Sequence, residues 1–431
     1  MSETIYSDRV VDLLKRSPSA FHVVQNMKEI LLSEGYCEIR EDRPFDLEPG
    51  EKYFVTRNGS SIIAFRVPKE RIRRIAISST HNDSPTFKVK PNPVMGKQNL
   101  LSLNVEPYGG MIMSSWLDRP LSIAGRVMIE RDLPFIESRL FDYDRDFCVI
   151  PSVAIHMNRG VNDGYAYNPA IDLIPLFSIQ EDEFSFNSFL AAELGVKEDE
   201  ILGFDLQLYV RDSTKIVGKK SEFLLSPKLD DLSSAYASLY GFIDSHPGQD
   251  LLPIFASFDN EEVGSMTKQG ADSDFLESIL LRIKEAVGLL ENEYRAALAS
   301  SWMLSVDNAH ANHPNHPEYS DPTTKVFMGQ GIVIKYNANQ KYTTDAPSAA
   351  MVKEVAKAAG LNVQEFTNRS DLRGGGTLGA IANSHISIRT VDIGIPQLAM
   401  HSSVEICAVS DINDMGKLIE YFFSLNIPAI E

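Results

Sequence analysis

Short apolar runs in this chain lead into polar residues of the types that bind metals. Residues 252–258 form such a run, which predicts a buried strand and is followed closely by Glu261 and Glu262. Residues 74–80 form another, and the strand that they predict leads into His81. In open α/β sheets, ligands gather beyond the carboxyl ends of the strands. The pattern therefore predicts a polar site along one edge of a sheet.

Three further carboxylate or imidazole groups stand at the ends of predicted elements. Asp307 follows an apolar run at 302–306, Asp230 precedes a predicted helix, and His401 ends a run at 394–400. Each residue taken alone could also be a helix-capping Asp or a core His. Adjacent carboxylates, however, repel one another unless a cation lies near them. Imidazole and carboxylate ligands without cysteine favour a catalytic zinc, cobalt or manganese site over a closed structural zinc site.

Helical patterns alternate with the predicted strands over most of the chain. They are predicted at residues 6–16, 20–34, 232–245, 274–298 and 346–359. Such alternation predicts an α/β fold, in which a mixed, mostly parallel sheet is flanked by helices. Between residues 92 and 218, short β-type runs separated by turns replace this pattern. We therefore expect residues 1–91 and 219–431 to form one domain, with residues 92–218 inserted as a β-rich domain.

The composition agrees with a large globular enzyme and excludes several other classes. The chain has 431 residues, 43% of them hydrophobic, and a formal net charge of −18. Nucleic acid is not an expected partner, because binding phosphates requires a basic face. Cys37, Cys148 and Cys407 are too few and too scattered for a disulfide framework. With neither a membrane-length apolar run nor a secretory leader pattern, we expect a cytoplasmic protein without membrane contact.

The motifs around these residues resemble those of a known enzyme family. In order, they are H-x-D-S-P from His81, S-P-x-L-D to Asp230, D-N-E-E-V-G-S at 259–265, D-x-A-H from Asp307 and G-I-P-Q-L-A-M-H-S at 394–402. The set resembles the aspartyl aminopeptidase and vacuolar aminopeptidase I family of binuclear zinc aminopeptidases. The resemblance implies that family's fold, peptide substrates and two divalent metal ions per subunit. Zinc is the expected metal, with cobalt or manganese as alternatives.

The resemblance also implies which residues bind the metals. Asp230 would bridge the two ions, and His81 and Asp307 would complete the ligands of one of them. Glu262 and His401 would complete the ligands of the other. Two metals about 3.5–4 Å apart can activate a water and polarise the scissile carbonyl.

Two acidic residues beside these ligands receive catalytic roles. By resemblance, Glu261 is the general base, which takes a proton from the attacking water and passes it to the leaving amine. Spacing alone leaves open whether Glu261 or Glu262 is the base. Asp83 stands two residues after His81 and would accept its second ring N–H. A turn or capping role for Asp83 is equally open.

Two residues suggest the substrate preference. Lys335 ends a predicted strand, and Tyr342 follows seven residues later. In the aspartyl aminopeptidase branch, a similar Lys and Tyr meet the acidic side chain of the N-terminal residue, so an Asp or Glu preference is implied. Lys335 reaching out to solvent is the alternative. A neutral, Leu-preferring aminopeptidase and a catalytically silent assembly or cargo protein are the rival functions.

The inserted block carries one further candidate, His156. A lone His after an apolar run is usually structural. The surrounding segment, however, resembles a family loop that crosses a dimer interface, where the matching His reaches the neighbouring active site. The resemblance thus implies a dimerisation domain and a homo-oligomer built from dimers, typically a tetrahedral dodecamer.

Two loops have polar or glycine-rich patterns of lower specificity. His310, His313 and His316 lie in a Pro-rich loop, which we expect to be exposed near the active site rather than to form another metal site. The glycine-rich stretch at 371–379 lacks the spacing of a phosphate-binding loop. We expect a tight turn near the substrate there.

Overall fold

The computed structural model describes residues 5–132, 134–180, 184–372 and 374–428. It divides into two compact units. The first contains the residues up to Asp83, Thr214–Met400 and the residues from Glu405 onward, and the second contains Ser84–Ser213 and His401–Val404. The sequence-based division had placed its boundaries at residues 91/92 and 218/219 and had assigned His401 to the first unit.

In the described part of the chain, nine strands form the main sheet of the first unit. In spatial order they are Cys37–Glu38, Lys52–Arg57, Ser61–Arg66, Leu251–Phe258, Arg74–His81, Trp302–Val306, Arg389–Gly394, Ile332–Tyr336 and Val363–Thr367. The four central strands, from Leu251–Phe258 to Arg389–Gly394, all run parallel to one another. Antiparallel pairs flank them, so the predicted mixed and mostly parallel sheet is confirmed.

The centre of this sheet is buried on both faces, as parallel sheets require. All eight residues of Leu251–Phe258 are buried. Because successive side chains point to opposite faces, Phe255 and Ile254 lie in different cores. The helices on the Phe255 face are Ile5–Lys15, Ala20–Ser33, Leu229–Asp244, Ala346–Ala359 and Val409–Ser424. Those on the Ile254 face are Phe275–Ala286, Glu291–Ala299 and Leu378–His385.

One predicted helix is wrong in its extent. The pattern over 274–298 predicted a single helix, whereas the chain forms Phe275–Ala286 and Glu291–Ala299. Gly288, with φ +67°, adopts the left-handed conformation that commonly ends a helix. Apolar residues of both helices pack in the same core. The apolar periodicity therefore continues across the turn and does not indicate where the first helix ends.

A smaller sheet of the first unit consists of Lys215–Val217, Phe223–Ser226, Glu405–Ala408, Pro396–Leu398 and Ala309–His310. The 309–310 strand starts two residues after Asp307. It pairs in parallel with 396–398, where Ala309 lies opposite Pro396. This pairing fixes the chain just beyond the carboxyl end of Trp302–Val306.

The second unit is β-rich, in agreement with the predicted inserted pattern. Within its described residues, six strands form an antiparallel sheet in the order Ile136–Asp142, Leu121–Glu130, Ile201–Val210, Thr86–Lys97, Leu100–Tyr108 and Leu176–Ile179. Its longer helix is Phe186–Leu194, and the short helix Pro169–Asp172 precedes it. Among the described residues of the whole chain, no helix has both the length and the apolar character that a membrane crossing requires.

Candidate metal centre

Three neighbouring parallel strands place predicted site residues at one edge of the main sheet. His81 is the last residue of Arg74–His81 and lies opposite Phe258 in the adjacent strand. Glu261 follows Phe258 by three residues, in the short turn of helix Glu261–Val263. Asp307 directly follows the strand on the other side of His81. The carboxyl ends of these strands therefore bring the groups together.

The side chains form two groups that share His81. The ligand atoms of His81, Asp230 and Asp307 all lie within 4.8 Å of one another, and so do those of His81, Glu261 and Glu262. His81 Nε2 is 3.3 Å from Asp230 Oδ1. His81 and Asp230 are only 1% and 3% exposed, so the site is largely screened from water.

Asp83 contacts both the imidazole and the Glu-Glu turn. Its backbone oxygen lies 3.1 Å from His81 Nδ1, while its carboxylate oxygen Oδ1 lies 3.5 Å away. A ring N–H at Nδ1 that donates to this carbonyl leaves Nε2 free to bind a metal. The carboxylate accepts the backbone N–H groups of Glu261 and Glu262, each at 3.1 Å. Both roles left open for Asp83, imidazole partner and cap, are therefore present in one residue.

The crowded carboxylates favour a bound cation. Burial raises the pKa of Glu261 to about 7, and Asp307 adds to this effect while His81 opposes it. Burial and Asp230 raise the pKa of Glu262 well above its usual value. A divalent cation among these groups favours their charged forms instead. The residues therefore fit a divalent metal, and their nitrogen and oxygen donors suit zinc.

The backbone before two of these side chains is left-handed. Lys228, two residues before Asp230, has φ +58°, and Asn260, just before Glu261, has φ +64°. Asn adopts this conformation readily, but it is uncommon for Lys. The ammonium of Lys228 donates to the backbone oxygens of Ser17 and Pro18 at 2.9 and 2.7 Å, which holds the strained turn in place. Such strain is concentrated at functional sites.

His401, the fifth predicted ligand, belongs to the second unit. Its φ of +66° is also left-handed, a conformation that His adopts more often than most residues other than glycine. Its Nδ1 lies 2.5 Å from the backbone oxygen of Gly110, in the same unit. As in His81, an Nδ1–H that donates to a carbonyl leaves Nε2 available as a ligand.

Lys335 and Tyr342 lie together beside Asp307. Lys335 is 2% exposed, so the alternative that its side chain reaches solvent is wrong. Its ammonium donates to the backbone oxygens of Asp307 and Asn308 at 2.7 and 3.2 Å and lies 3.4 Å from Asp307 Oδ1. It also lies 5.2 Å from the centre of the Tyr342 ring. A buried cation thus adjoins the carboxylate cluster.

Comparison with known proteins identifies the family. The family described as "Aminopeptidase I zinc metalloprotease (M18)" matches residues 13–423. This chain belongs to the M18 aminopeptidases. The predicted resemblance is therefore confirmed, and the chain is a zinc metalloaminopeptidase by family. The silent assembly or cargo function that the sequence left as a rival is thereby set aside.

Relatives and solved structures agree with this membership. A Clostridium acetobutylicum protein named "Probable M18 family aminopeptidase 2" is 44% identical, over 98% of this chain and 100% of that protein. The cryo-EM structure of the Ape4 and Nbr1 complex matches with a TM-score of 0.94 at 33% identity, covering 97% of this chain and 85% of that one. The S. cerevisiae mApe1 dodecamer matches with a TM-score of 0.86 at 27% identity, covering 97% and 96%.

A cavity of about 250 Å³ lies in the first unit of this M18 aminopeptidase. Its lining includes His310, Phe366 and the exposed His313 and His316. The Phe366 ring is 6.1 Å from the His310 ring and 6.4 Å from the Tyr342 ring. Among the described residues, the groups able to hold a metal do not include these loop histidines. Phe366 therefore lines the cavity and also lies near Tyr342, whose ring adjoins the Lys335 ammonium.

His156, the remaining candidate, lies in the second unit on an exposed segment. Its neighbours Ile155 and Met157 are 48% and 84% exposed. A turn closes this part of the segment, in which Met157 N–H donates to the Ala154 oxygen at 2.8 Å. His156 itself is exposed, so it is not a core residue of this subunit, and its role at a neighbouring site stays a prediction.

Sequence analysis missed two buried acidic residues near the site. Glu405, 2% exposed, accepts the backbone N–H of Asp230 at 3.0 Å. Asp392 is fully buried and accepts the N–H and the hydroxyl of Thr343, next to Tyr342, at 2.6 and 2.7 Å. Asp392 lies between the apolar Val391 and Ile393, and this carboxylate in an apolar surrounding was the available signal.

Proposed function

We propose that this M18 aminopeptidase uses two metal ions to release N-terminal Asp or Glu residues from peptides. The observation that carries the acidic preference is the buried Lys335 ammonium, which lies beside both Asp307 and Tyr342. The cavity lined by Phe366, whose ring lies 6.4 Å from the Tyr342 ring, is the space proposed for the peptide.

The proposed ligands follow the family pattern. Asp230 would be shared by the two ions, His81 and Asp307 would hold one, and Glu262 and His401 would hold the other. The clusters around His81 support the first four of these assignments. His401 follows Met400 of the first unit in the chain and has a ring orientation that suits a ligand. When bound, the ions supply Lewis-acid activation of the attacking water and the scissile carbonyl.

Glu261 is proposed as the general base. Its carboxylate lies close to the proposed metal ligands but is not needed as one of them. Asp83 holds the turn that contains Glu261. Glu261 takes a proton from the attacking water and returns it to the leaving amine. The bonds from both backbone N–H groups to Asp83 keep Glu261 and Glu262 in fixed relative orientation, so that one serves as base and the other as ligand.

The acidic preference is proposed from the unmet capacity of Lys335. An ammonium has three N–H donors, and two of them bond to the backbone oxygens of Asp307 and Asn308. An Asp or Glu side chain can accept the third, and Tyr342 can add its hydroxyl. A substrate without a carboxylate leaves the third N–H with only the longer contact to Asp307 Oδ1, at 3.4 Å. A hydrogen bond to a charged group that is not made costs on the order of 1.5–3 kcal/mol.

A neutral, Leu-type preference is the second candidate. The cavity wall includes Val326, Phe366 and Leu372, which favour an apolar side chain. A Leu side chain would gain from contact with these residues but would not match Lys335. The two preferences therefore predict opposite orders of activity on Asp and Leu substrates.

The second unit is proposed as a dimerisation domain, in an assembly of dimers with tetrahedral symmetry and twelve subunits. Its exposed apolar residues support an interface with a second copy: they include Val153, Ile155, Met157, Ile171 and Ile179. The related mApe1 forms a dodecamer. In this arrangement, His156 reaches the neighbouring subunit's site and stabilises the developing oxyanion. The free thiols of all three cysteines support a reducing, cytoplasmic location.

A single panel experiment tests the proposed metal requirement and substrate preference. The enzyme is stripped of metal, refilled with zinc, cobalt or manganese, and assayed on Asp, Glu, Leu and Ala aminoacyl substrates. We expect activity to return with two ions per subunit and to be highest on Asp and Glu. Highest activity on Leu would support the neutral alternative, and full activity at one ion per subunit would contradict the two-metal site.

A further inference from the structure

Lys335 contacts the metal centre through the backbone as well as through its charge. Its ammonium bonds to two consecutive carbonyl oxygens, those of Asp307 and Asn308. These bonds lie at the carboxyl end of Trp302–Val306, where the chain leaves the sheet. A side chain that served only to recognise a substrate would not need to bind the backbone of a metal ligand.

The same short segment is held from its other side by the Asn308 side chain. Asn308 Nδ2 donates to the Leu229 oxygen at 2.7 Å, next to Asp230 in the chain. It also lies 2.9 Å from Ser233 Oγ, and its Oδ1 accepts the Ser234 hydroxyl. Asn308 is 2% exposed, so these bonds form away from water. The Asp307–Asn308 segment therefore joins the Asp230 helix to the Lys335 strand.

We infer that Lys335 is a positioning residue for the metal ligand Asp307, in addition to its proposed contact with acidic substrates. The inference rests on the proposed function, in which Asp307 is a ligand and Lys335 recognises a carboxylate. Lys335 orients the Asp307 carboxylate by fixing the carbonyl groups of two consecutive peptide links, Asp307–Asn308 and the one that follows it. Substrate selection and metal affinity then depend on one buried cation.

The geometry explains why both tasks fall to an ammonium. The carbonyl bonds use two of its three donors and leave the third for a ligand. An uncharged replacement leaves two buried carbonyl oxygens without their donor, which is costly away from water. The segment can then relax, and the Asp307 carboxylate loses its fixed direction toward His81 and Asp230. Loss of an outer partner of this kind typically weakens metal binding by about 10–100-fold.

The test measures zinc affinity separately from activity. Zinc affinity is determined by competition with a coloured chelator, and the melting temperature of the metal-free protein checks folding. We expect Lys335→Met to bind zinc about 10–100-fold more weakly than the unaltered chain. Tyr342→Phe is the matched control, because the Tyr342 ring adjoins the same ammonium while the bonds to the Asp307 and Asn308 carbonyls come from Lys335. It should change substrate preference with zinc affinity unaltered.

Lys335→Gln is the second variant in case Lys335→Met does not fold. Its amide can still donate to one or both carbonyls, so zinc affinity should lie between the other two values while the acidic preference is lost. Unaltered zinc affinity in a folded Lys335→Met or Lys335→Gln protein would overturn the inference. Asp307→Asn separates this failure from that of the proposed function: if it too keeps full zinc affinity, Asp307 is not a ligand.

Discussion

Asp83 accepts the backbone N–H of Glu261 at 3.1 Å, although 178 positions separate the two residues in the chain. Its second carboxylate oxygen accepts the N–H of Glu262 at the same distance. The Asp83 carbonyl, in turn, lies 3.1 Å from the His81 ring. One residue therefore couples the orientation of a proposed metal ligand, His81, to that of the proposed base.

Asp83→Asn should lower turnover without unfolding the protein. The amide retains one oxygen acceptor, but its NH2 group faces a backbone N–H that has lost its partner. We expect kcat to fall about 10–100-fold, the usual effect of losing such an outer contact. Steady-state kinetics, with zinc content measured on the same sample, tests this expectation. An unchanged kcat would mean that the Glu261–Val263 turn is held by other contacts.

Glu261→Gln should remove the base but keep the metals. The amide preserves size and hydrogen bonding and cannot accept a proton, so turnover should drop by about 10²–10⁴-fold. Glu262→Gln is the matched variant on the adjacent residue and should instead lower zinc occupancy. Zinc analysis and kinetics on both proteins decide between the roles. The reverse pattern, zinc loss in Glu261→Gln alone, would exchange the two assignments.

Residues that follow strands could be placed from the sequence because of one geometric rule. His81, Glu261 and Asp307 each come after an apolar run, and the runs pair in parallel at the sheet centre. Parallel strands end at the same edge, so the polar residues after them meet. Asp230 and His401 also stand at the ends of predicted elements, but these elements lie outside those strands, and the motif resemblance implied their roles as ligands.

Contacts between distant segments could not be predicted in this way. Lys335 lies near the end of its strand whether its side chain is exposed or buried. Its burial follows from the 307–308 segment, which packs against it. Glu405 resembles any acidic residue at a strand start until Asp230 N–H is found beside it. Likewise, the apolar periodicity continues across the left-handed turn at Gly288 and therefore does not predict it. These features depend on packing partners that are remote in sequence.

Mixed oligomers should test the proposed contribution of His156 to a neighbouring site. His156→Ala and Glu261→Gln subunits should each have low activity when assembled alone. Mixed together, they should recover activity, because one site of each mixed dimer receives an intact base and an intact His. Activity after subunit exchange, with size measured by light scattering, provides the test. A fully active monomer, or unchanged kinetics of His156→Ala alone, would contradict the shared site.

His22 should make the metal-free protein less stable in acid. Burial and the nearby Lys228 lower its pKa from 6.5 to about 4, and Ser19 Oγ lies 2.8 Å from its Nδ1. Because the folded state disfavours the charged ring, the unfolded state binds more protons between these values. The resulting stability is present above pH 6.5 and is lost as the pH falls toward 4.

The His22 contribution can be isolated by a difference between variants. The free energy of unfolding should fall by up to about 3 kcal/mol over this range in the unaltered chain, beyond the effect of other groups. His22→Gln keeps a polar side chain that does not titrate, so its acid decline should be smaller by that amount. His246→Gln, at an exposed position, serves as the control and should follow the unaltered chain. Urea unfolding of metal-stripped protein at pH values from 4 to 7 provides the measurement. Parallel curves for all three proteins would show that the His22 ring remains accessible to protons in the folded state.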